Sequence, residues 1–254
     1  MYRKNVEQKG KLNPHVSVDC AIFGFDFEEL KILLIERVKP TEIPNDYFFR
    51  NISLPGNLIL DNEDLDTSAK RVLRELTGLD NIFMEQFYTF GDPNRVKSKY
   101  DEEWLKSIRE EPTARVITVA YYSLVKLDKL NLHAASFAQN ASWYPVSKIP
   151  DLAFDHNQIV YKAIQSLKHK LHTEPIGFEL LPEKFTLGQL QKLYEIILNA
   201  TLDKRNFRRK ILSKKVLIPL MEKQVGVPHK QAQLYSFDKE KYEEMRTEMV
   251  GFDF

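Results

Sequence analysis

One cysteine in 254 residues, Cys20, leaves no partner for an internal disulfide and too few thiols for a multi-cysteine metal site. It lies in an apolar run, where a small core side chain is expected. Long hydrophobic runs are also missing, and the apolar-rich stretches, such as 116–125, are too short to span a bilayer. No apolar segment follows the positive charges of Met1-Tyr2-Arg3-Lys4, so a secretory signal is not expected; the expected location is cytoplasmic, with no membrane partner. Internal repeats and low-complexity segments are absent, and the length bounds the chain to one or two domains.

Net charge is nearly lacking too, at +1. It is unevenly spread. Residues 199–235 hold nine basic side chains against Asp203 and Glu222, so this window carries about +7 and leaves about −6 for the remainder. Such asymmetry points to a nucleic-acid or acidic partner for the basic segment.

Hydrophobic patterning divides the chain into two parts. Residues 16–25 and 31–37 are apolar and rich in β-branched types around an acidic turn at 26–29, which predicts a hairpin. A strand at 52–57 precedes a helix over 63–77, with Leu65, Ala69, Val72, Leu73 and Leu76 on one face and Gly78 as its C-cap. Strands follow at 83–90, 115–125 and 143–146, with a polar, charged insert at 96–112. A helix is predicted over 155–171, capped by Asp155. Trp143, His156, Tyr121 and Tyr122 are expected in the core of this mixed α/β domain. Pro175 and Gly177 mark a boundary, giving domains 1–173 and 174–254.

Beyond it, Thr186-Leu187-Gly188-Gln189 forms a capping box for a helix with Leu190, Leu193, Tyr194, Ile197 and Leu198 on its apolar face. After a turn at 199–202, Asp203 caps a second helix, 204–213, whose Phe207 and Ile211 face inward while the other faces are basic. Strands at 216–221 and 233–237 complete the pattern of a winged helix-turn-helix. Seven of the twelve residues 204–215 are basic, and no glutamates stand at i, i+4 to neutralise them. The candidate DNA-binding residues are Lys204, Arg205, Asn206, Arg208, Arg209, Lys210, Lys214 and, on the wing, Lys230. Arg205, Asn206 and Arg209 are of the types that read guanine and adenine edges, whereas Lys204, Arg208, Lys210 and Lys214 suit phosphates; the sequence leaves this assignment open.

The stretch from Leu54-Pro55-Gly56 to Leu76-Thr77-Gly78-Leu79 resembles a Nudix box, the loop-helix-loop of hydrolases that cleave nucleoside diphosphates linked to another group. Glu63, Arg71, Leu73, Glu75, Gly78 and Leu79 match the family pattern; Asn57 stands for its first glycine, and Val72 and Leu76 replace two glutamates. Magnesium is a hard ion that needs oxygen ligands, so the resemblance implies a disabled enzyme with no metal and no cofactor. The surviving Glu75 is spaced to pair with Arg71.

Adding Leu202-Asp203-Lys204-Arg205-Asn206-Phe207-Arg208-Arg209-Lys210, Phe90-Gly91-Asp92-Pro93-Asn94-Arg95 and Leu152-Ala153-Phe154-Asp155-His156 extends the resemblance over nearly the whole chain. It is similar to the Nudix-related transcriptional regulators, which govern NAD metabolism or sugar utilisation in bacteria. The run 70–79 leans toward their arabinose-responsive branch.

The resemblance implies a Nudix-like mixed-sheet sandwich followed by a winged helix. It also implies a homodimer on a double-stranded DNA operator, and an effector cleft near Arg71, Glu75, Asp92, Asn94 and Arg115. A free pentose such as L-arabinose is the first expected effector and ADP-ribose the second. The insert 96–112 departs from the family's shorter loop beside that cleft, and so bears on the ligand's identity. Two rival readings are a magnesium-dependent hydrolase and an adaptor whose basic helix binds an acidic protein.

Overall fold

The computed structural model describes residues 10–39, 50–127, 132, 136–173, 180–226 and 231–247. Strand β1 (Leu12–Phe25) is central: every residue from Ser17 to Phe25 is buried, and apart from Asp19 the run is small or apolar, as a strand covered on both faces requires. A turn in which Asp26 accepts the amides of Glu28 and Glu29 leads to β2 (Leu30–Arg37), its neighbour in the sheet. The predicted hairpin is present. β1 also runs four residues further back than the apolar pattern implies, through Asn13-Pro14-His15.

Five further strands complete the sheet: β3 (Ile52–Ser53), β4 (Gly56–Leu60), β5 (Glu85–Phe90), β6 (Ile117–Lys126) and β7 (Ala138–Pro145). Its order is β3-β2-β1-β6-β5, with β4 paired to β1 and β7 to β2. Helix α1 (Leu65–Thr77) packs on β4 and β7. Asp64 caps it by accepting the Thr67 amide, and Gly78 ends it at φ 76°, a left-handed conformation that costs glycine little. Ala69, Val72, Leu73 and Leu76 are buried, as their spacing predicts, and the thiol of Cys20 lies against the Ala69 carbonyl. Burial pushes that thiol's pKa up, which keeps it in the inert protonated form. Tyr121, Tyr122 and His156 are buried and Trp143 is half-buried.

The insert is not a polar loop. It folds into α2 (Glu102–Ile108), and its Val96, Trp104 and Leu105 join Leu58 and Val116 in a buried cluster, with Leu12, Phe137 and Phe154 packed against it. Helix α3 (His156–Thr173) follows. The chain divides into two compact units, the first ending at Ala163 and the second running from Ile164, with residues 24–30 and 125–128 grouped with the second. The boundary expected after residue 173 falls beside residues 174–179, outside the described set.

The second unit holds β8 (Phe185–Thr186), α4 (Leu187–Leu198), α5 (Lys204–Ser213), β9 (Leu217–Lys223), β10 (Gln233–Phe237) and α6 (Lys239–Thr247). The strand order is β8-β10-β9. Among the described residues, no helix is long and apolar enough to cross a membrane.

Candidate nucleic-acid interface and effector site

Helix α4 begins at the predicted capping box: Gln189 donates its amide to Thr186 Oγ1 and accepts the Thr186 amide on its side chain. It ends at Asn199 with φ 53°. The next turn is fixed from within α4, since Gln191 donates to the Leu202 carbonyl at 2.9 Å and Glu195 accepts the Leu202 amide at 3.0 Å. Asp203 then accepts the Asn206 amide at 2.7 Å and starts α5.

Phe207 and Ile211, one turn apart, are buried; Phe207 meets Tyr194 of α4 edge to face, with ring centroids 5.9 Å apart. Fixing those two inward forces Arg205, Arg208, Arg209, Lys204 and Lys214 into solvent, with Asn206 and Lys210 half-exposed. Asp203, Arg205, Asn206 and Arg209 line an open cleft of about 580 Å³ on this face, and Arg209 donates to the side-chain Oδ1 of Asn206 at 2.8 Å. The outward face of α5 is thus exposed and basic. Lys223 closes β9 on the wing, whereas His229 and Lys230 lie outside the described residues.

In the box, Arg71 holds loop and helix together. It donates to both oxygens of Glu63 at 2.8 and 2.5 Å, to Glu75 at 3.1 Å and to the Leu58 carbonyl at 3.2 Å. Burial would push the Glu63 carboxyl up, but hydrogen bonds from Arg71 and the Leu60 amide hold it below its usual range. The expected Arg71–Glu75 pair is therefore present, and both surviving glutamates are engaged by an arginine. The other three candidate effector residues gather at a separate place, around Gly91. There Asp92 accepts the Asn94 amide at 2.7 Å, and Arg115 donates to the Gly91 carbonyl at 3.0 Å.

Between the turn that leads into the box and the loop after Phe90 lies a buried charged cluster that sequence reading did not assemble. Asp19 on β1 faces that turn so closely that a Cβ on Gly56 would sit 1.8 Å from its Oδ1, so only glycine fits there. His156 Nδ1 accepts the Leu54 amide at 2.9 Å, which places the ring proton on Nε2, 3.4 Å from Asp19 Oδ1. Arg95 binds both oxygens of Asp155, at 3.0 and 2.8 Å, and reaches Asp19 Oδ2 at 3.3 Å. The Asp155 carboxylate, read from sequence as a helix cap, thus holds an arginine from 60 residues away.

From the insert, Asp101 pairs with Arg37 at 2.7 Å, both fully buried, and its other oxygen accepts the Phe154 amide at 3.0 Å. The Arg37 guanidinium lies 4.2 Å from the Trp104 ring centroid and 4.9 Å from that of Phe154.

Burial lowers the His156 pKa, with Asp19 opposing and Arg95 reinforcing. A depressed histidine favours folding above its unfolded pKa of 6.5, and that contribution is lost as pH falls below it, because the unfolded chain then takes up a proton that the native one refuses. The melting temperature is expected to fall between pH 7 and 5, and His156→Gln, which keeps neutral donors and acceptors, should flatten the fall. Glu63 acts in a lower window, below its ordinary 4.5. A wild-type melting temperature constant from pH 7 to 5 would contradict this account.

Comparison with known proteins agrees with this architecture. Residues 177–237 match the model of the NrtR DNA-binding winged helix domain. The chain is 29% identical over 235 residues to an ADPR-responsive transcriptional repressor of Acinetobacter baylyi, covering 91% of this chain and 85% of that protein. It is 27% identical over 151 residues to an ADP-ribose pyrophosphatase of Methanocaldococcus jannaschii, covering 59% and 72%. Its fold is similar to that of Shewanella oneidensis NrtR in complex with a 27mer DNA, with a TM-score of 0.67 at 23% identity, covering 94% of this chain and 99% of that one. The chain thus has a Nudix-like sheet domain followed by an NrtR-type winged helix, and it is similar to the Nudix-related transcriptional regulators.

Proposed function

We propose that this protein is a homodimeric transcriptional repressor whose Nudix-like domain, residues 1–173, senses ADP-ribose without hydrolysing it and controls DNA binding by residues 174–254. The observation that carries the reading is the match over 91% of the chain to a repressor described as ADPR-responsive. It reverses the order expected from sequence, where a free pentose such as L-arabinose stood first. The lean toward the arabinose-responsive branch rested on ten residues of the box, and the whole-chain match outweighs it. Dimerisation follows from contact area: one winged helix offers too few contacts for tight specific binding, and two-fold proteins read palindromic sites.

Hydrolysis is not expected. Val72 and Leu76 offer no oxygen to magnesium and are buried on the α1 face that packs into the core, while Glu63 and Glu75 are taken by Arg71. The box therefore does not fit the metal site of a hydrolase.

The test starts from DNA selected by the full-length protein out of a random pool. ADP-ribose is expected to weaken binding to it at least tenfold, which requires a preference of about 1.4 kcal/mol for the non-binding state, and L-arabinose to leave it unchanged. Unchanged DNA affinity at saturating ADP-ribose would overturn the reading. Magnesium-dependent release of AMP from ADP-ribose above background would favour the hydrolase reading that the pyrophosphatase match raises.

A further inference from the structure

We infer that Arg109, at the end of the insert, is an anion-binding arm of the effector site, and that its guanidinium takes a phosphate-type oxygen of the ligand. The inference rests on the effector-sensing role proposed above and gives the site its ligand chemistry. The backbone amide of Arg109 closes α2 on the Leu105 carbonyl. Its side chain is half-buried, and its Nη1 atom, closed off from solvent, has no hydrogen-bond acceptor among the described residues. A buried charged donor left unmatched is costly, and native proteins keep such groups where a ligand or ordered water completes them.

The carboxylates nearby are committed elsewhere. Asp19, whose charge reaches Arg109, is shared by Arg95 and His156; Asp155 is held by Arg95, and Asp101 by Arg37 and the Phe154 amide. Burial pushes Arg109 down to about 10, Asp19 opposes this, and the charges of Arg95 and Arg37 add to it. At neutral pH Arg109 is still charged.

The packing of its helix also sets it beside the expected cleft. Asp101 at the start of α2 takes the Phe154 amide and Trp104 meets the Phe154 ring at 6.2 Å between centroids, next to Asp155, so the insert packs against the cluster between the turn at Gly56 and the loop after Phe90, where Asp92 and Asn94 are expected to meet the effector. A guanidinium fork matches a phosphate in geometry and charge, whereas a neutral pentose offers it only hydroxyls.

The experiment is calorimetric titration of the full-length wild type, Arg109→Gln and Arg109→Lys with ADP-ribose, ribose 5-phosphate and ribose, alongside the melting temperature of each unliganded protein. Arg109→Gln is expected to weaken both phosphorylated ligands roughly 10- to 100-fold, to leave ribose unchanged, and to melt at or above the wild-type temperature, because it removes an unmatched charge. Arg109→Lys should recover part of the loss. The inference is overturned if Arg109→Gln binds ADP-ribose within twofold of wild type, if wild type binds neither phosphorylated ligand, or if the variant melts lower and loses ribose equally. That last pattern would mean that a buried water, and not a ligand, completes Nη1. The two proposals fail separately. ADP-ribose that releases DNA from wild type and Arg109→Gln alike sinks only the role of Arg109. Phosphate binding that needs Arg109 but leaves DNA affinity unchanged sinks only the regulatory reading.

Discussion

Arg205→Ala and Arg209→Ala are each expected to weaken binding to the selected operator by about 1 to 3 kcal/mol, roughly 5- to 150-fold, and to relax preference at one base pair. The expectation comes from the way α5 is held. Its start is set by Asp203, and its rotation by Phe207 and Ile211, which the core accepts in one orientation. Positions 205, 206 and 209 then form one outward stripe, since residues three and four apart share a helix face. The Arg209–Asn206 hydrogen bond orders two of the three side chains before DNA arrives, which lowers the entropy lost on binding.

Lys210 stands beside that stripe and suits a phosphate. Lys210→Ala should weaken all DNA sequences alike and flatten the salt dependence by about one unit. Fluorescence anisotropy on the selected site and on a scrambled duplex, at several salt concentrations, separates these outcomes. Wild-type affinity in all three variants would mean that α5 is not the element that reads DNA.

The winged helix was legible because its signals are local. A capping box, an N-cap aspartate and an i, i+4 apolar pair each specify their own few residues, and all three stand where sequence places them. The box helix was legible for the same reason, with its cap, apolar face and C-terminal glycine each within a turn of the next. The charged cluster was not legible, since its partners are joined only by the fold: Arg95 lies 76 residues from Asp19, and Arg37 lies 64 from Asp101.

Helix α2 was hidden in another way. Its seven residues carry Glu102, Glu103 and Lys106 around the adjacent pair Trp104-Leu105, too short for a period to show, and what buries that pair is the sheet domain. One trace was readable: a tryptophan alone in a charged insert, and an arginine closing the apolar strand Leu30–Arg37, are each out of place unless they meet. β8 with two residues, and α6 with its largely polar sequence, gave periodicity nothing to detect.

Removing the carboxylate beneath that tryptophan should have the largest effect on stability. Asp101→Ala is expected to cost about 3 to 5 kcal/mol, because it leaves the Arg37 charge in a place that water does not reach. The Phe154 amide loses its acceptor in the same step. The cost is not the worth of the ion pair itself, which balances attraction against the desolvation of two charges. Replacing both partners, as Arg37→Met with Asp101→Leu, should therefore recover most of the loss.

Stacking on Trp104 and Phe154 supports the arginine but cannot neutralise it. The insert is fastened to the sheet domain through this pair, with the Trp104 indole donating to the Val38 carbonyl at 3.2 Å beside it, so the single variant should loosen α2 first. For a domain of this size the loss corresponds to a drop of about 6 to 20 °C in melting temperature, measurable by calorimetry, with faster amide exchange in residues 102–108. A drop under 2 °C, or a double variant no more stable than Asp101→Ala, would show that the insert is anchored by its apolar contacts and not by the buried charge.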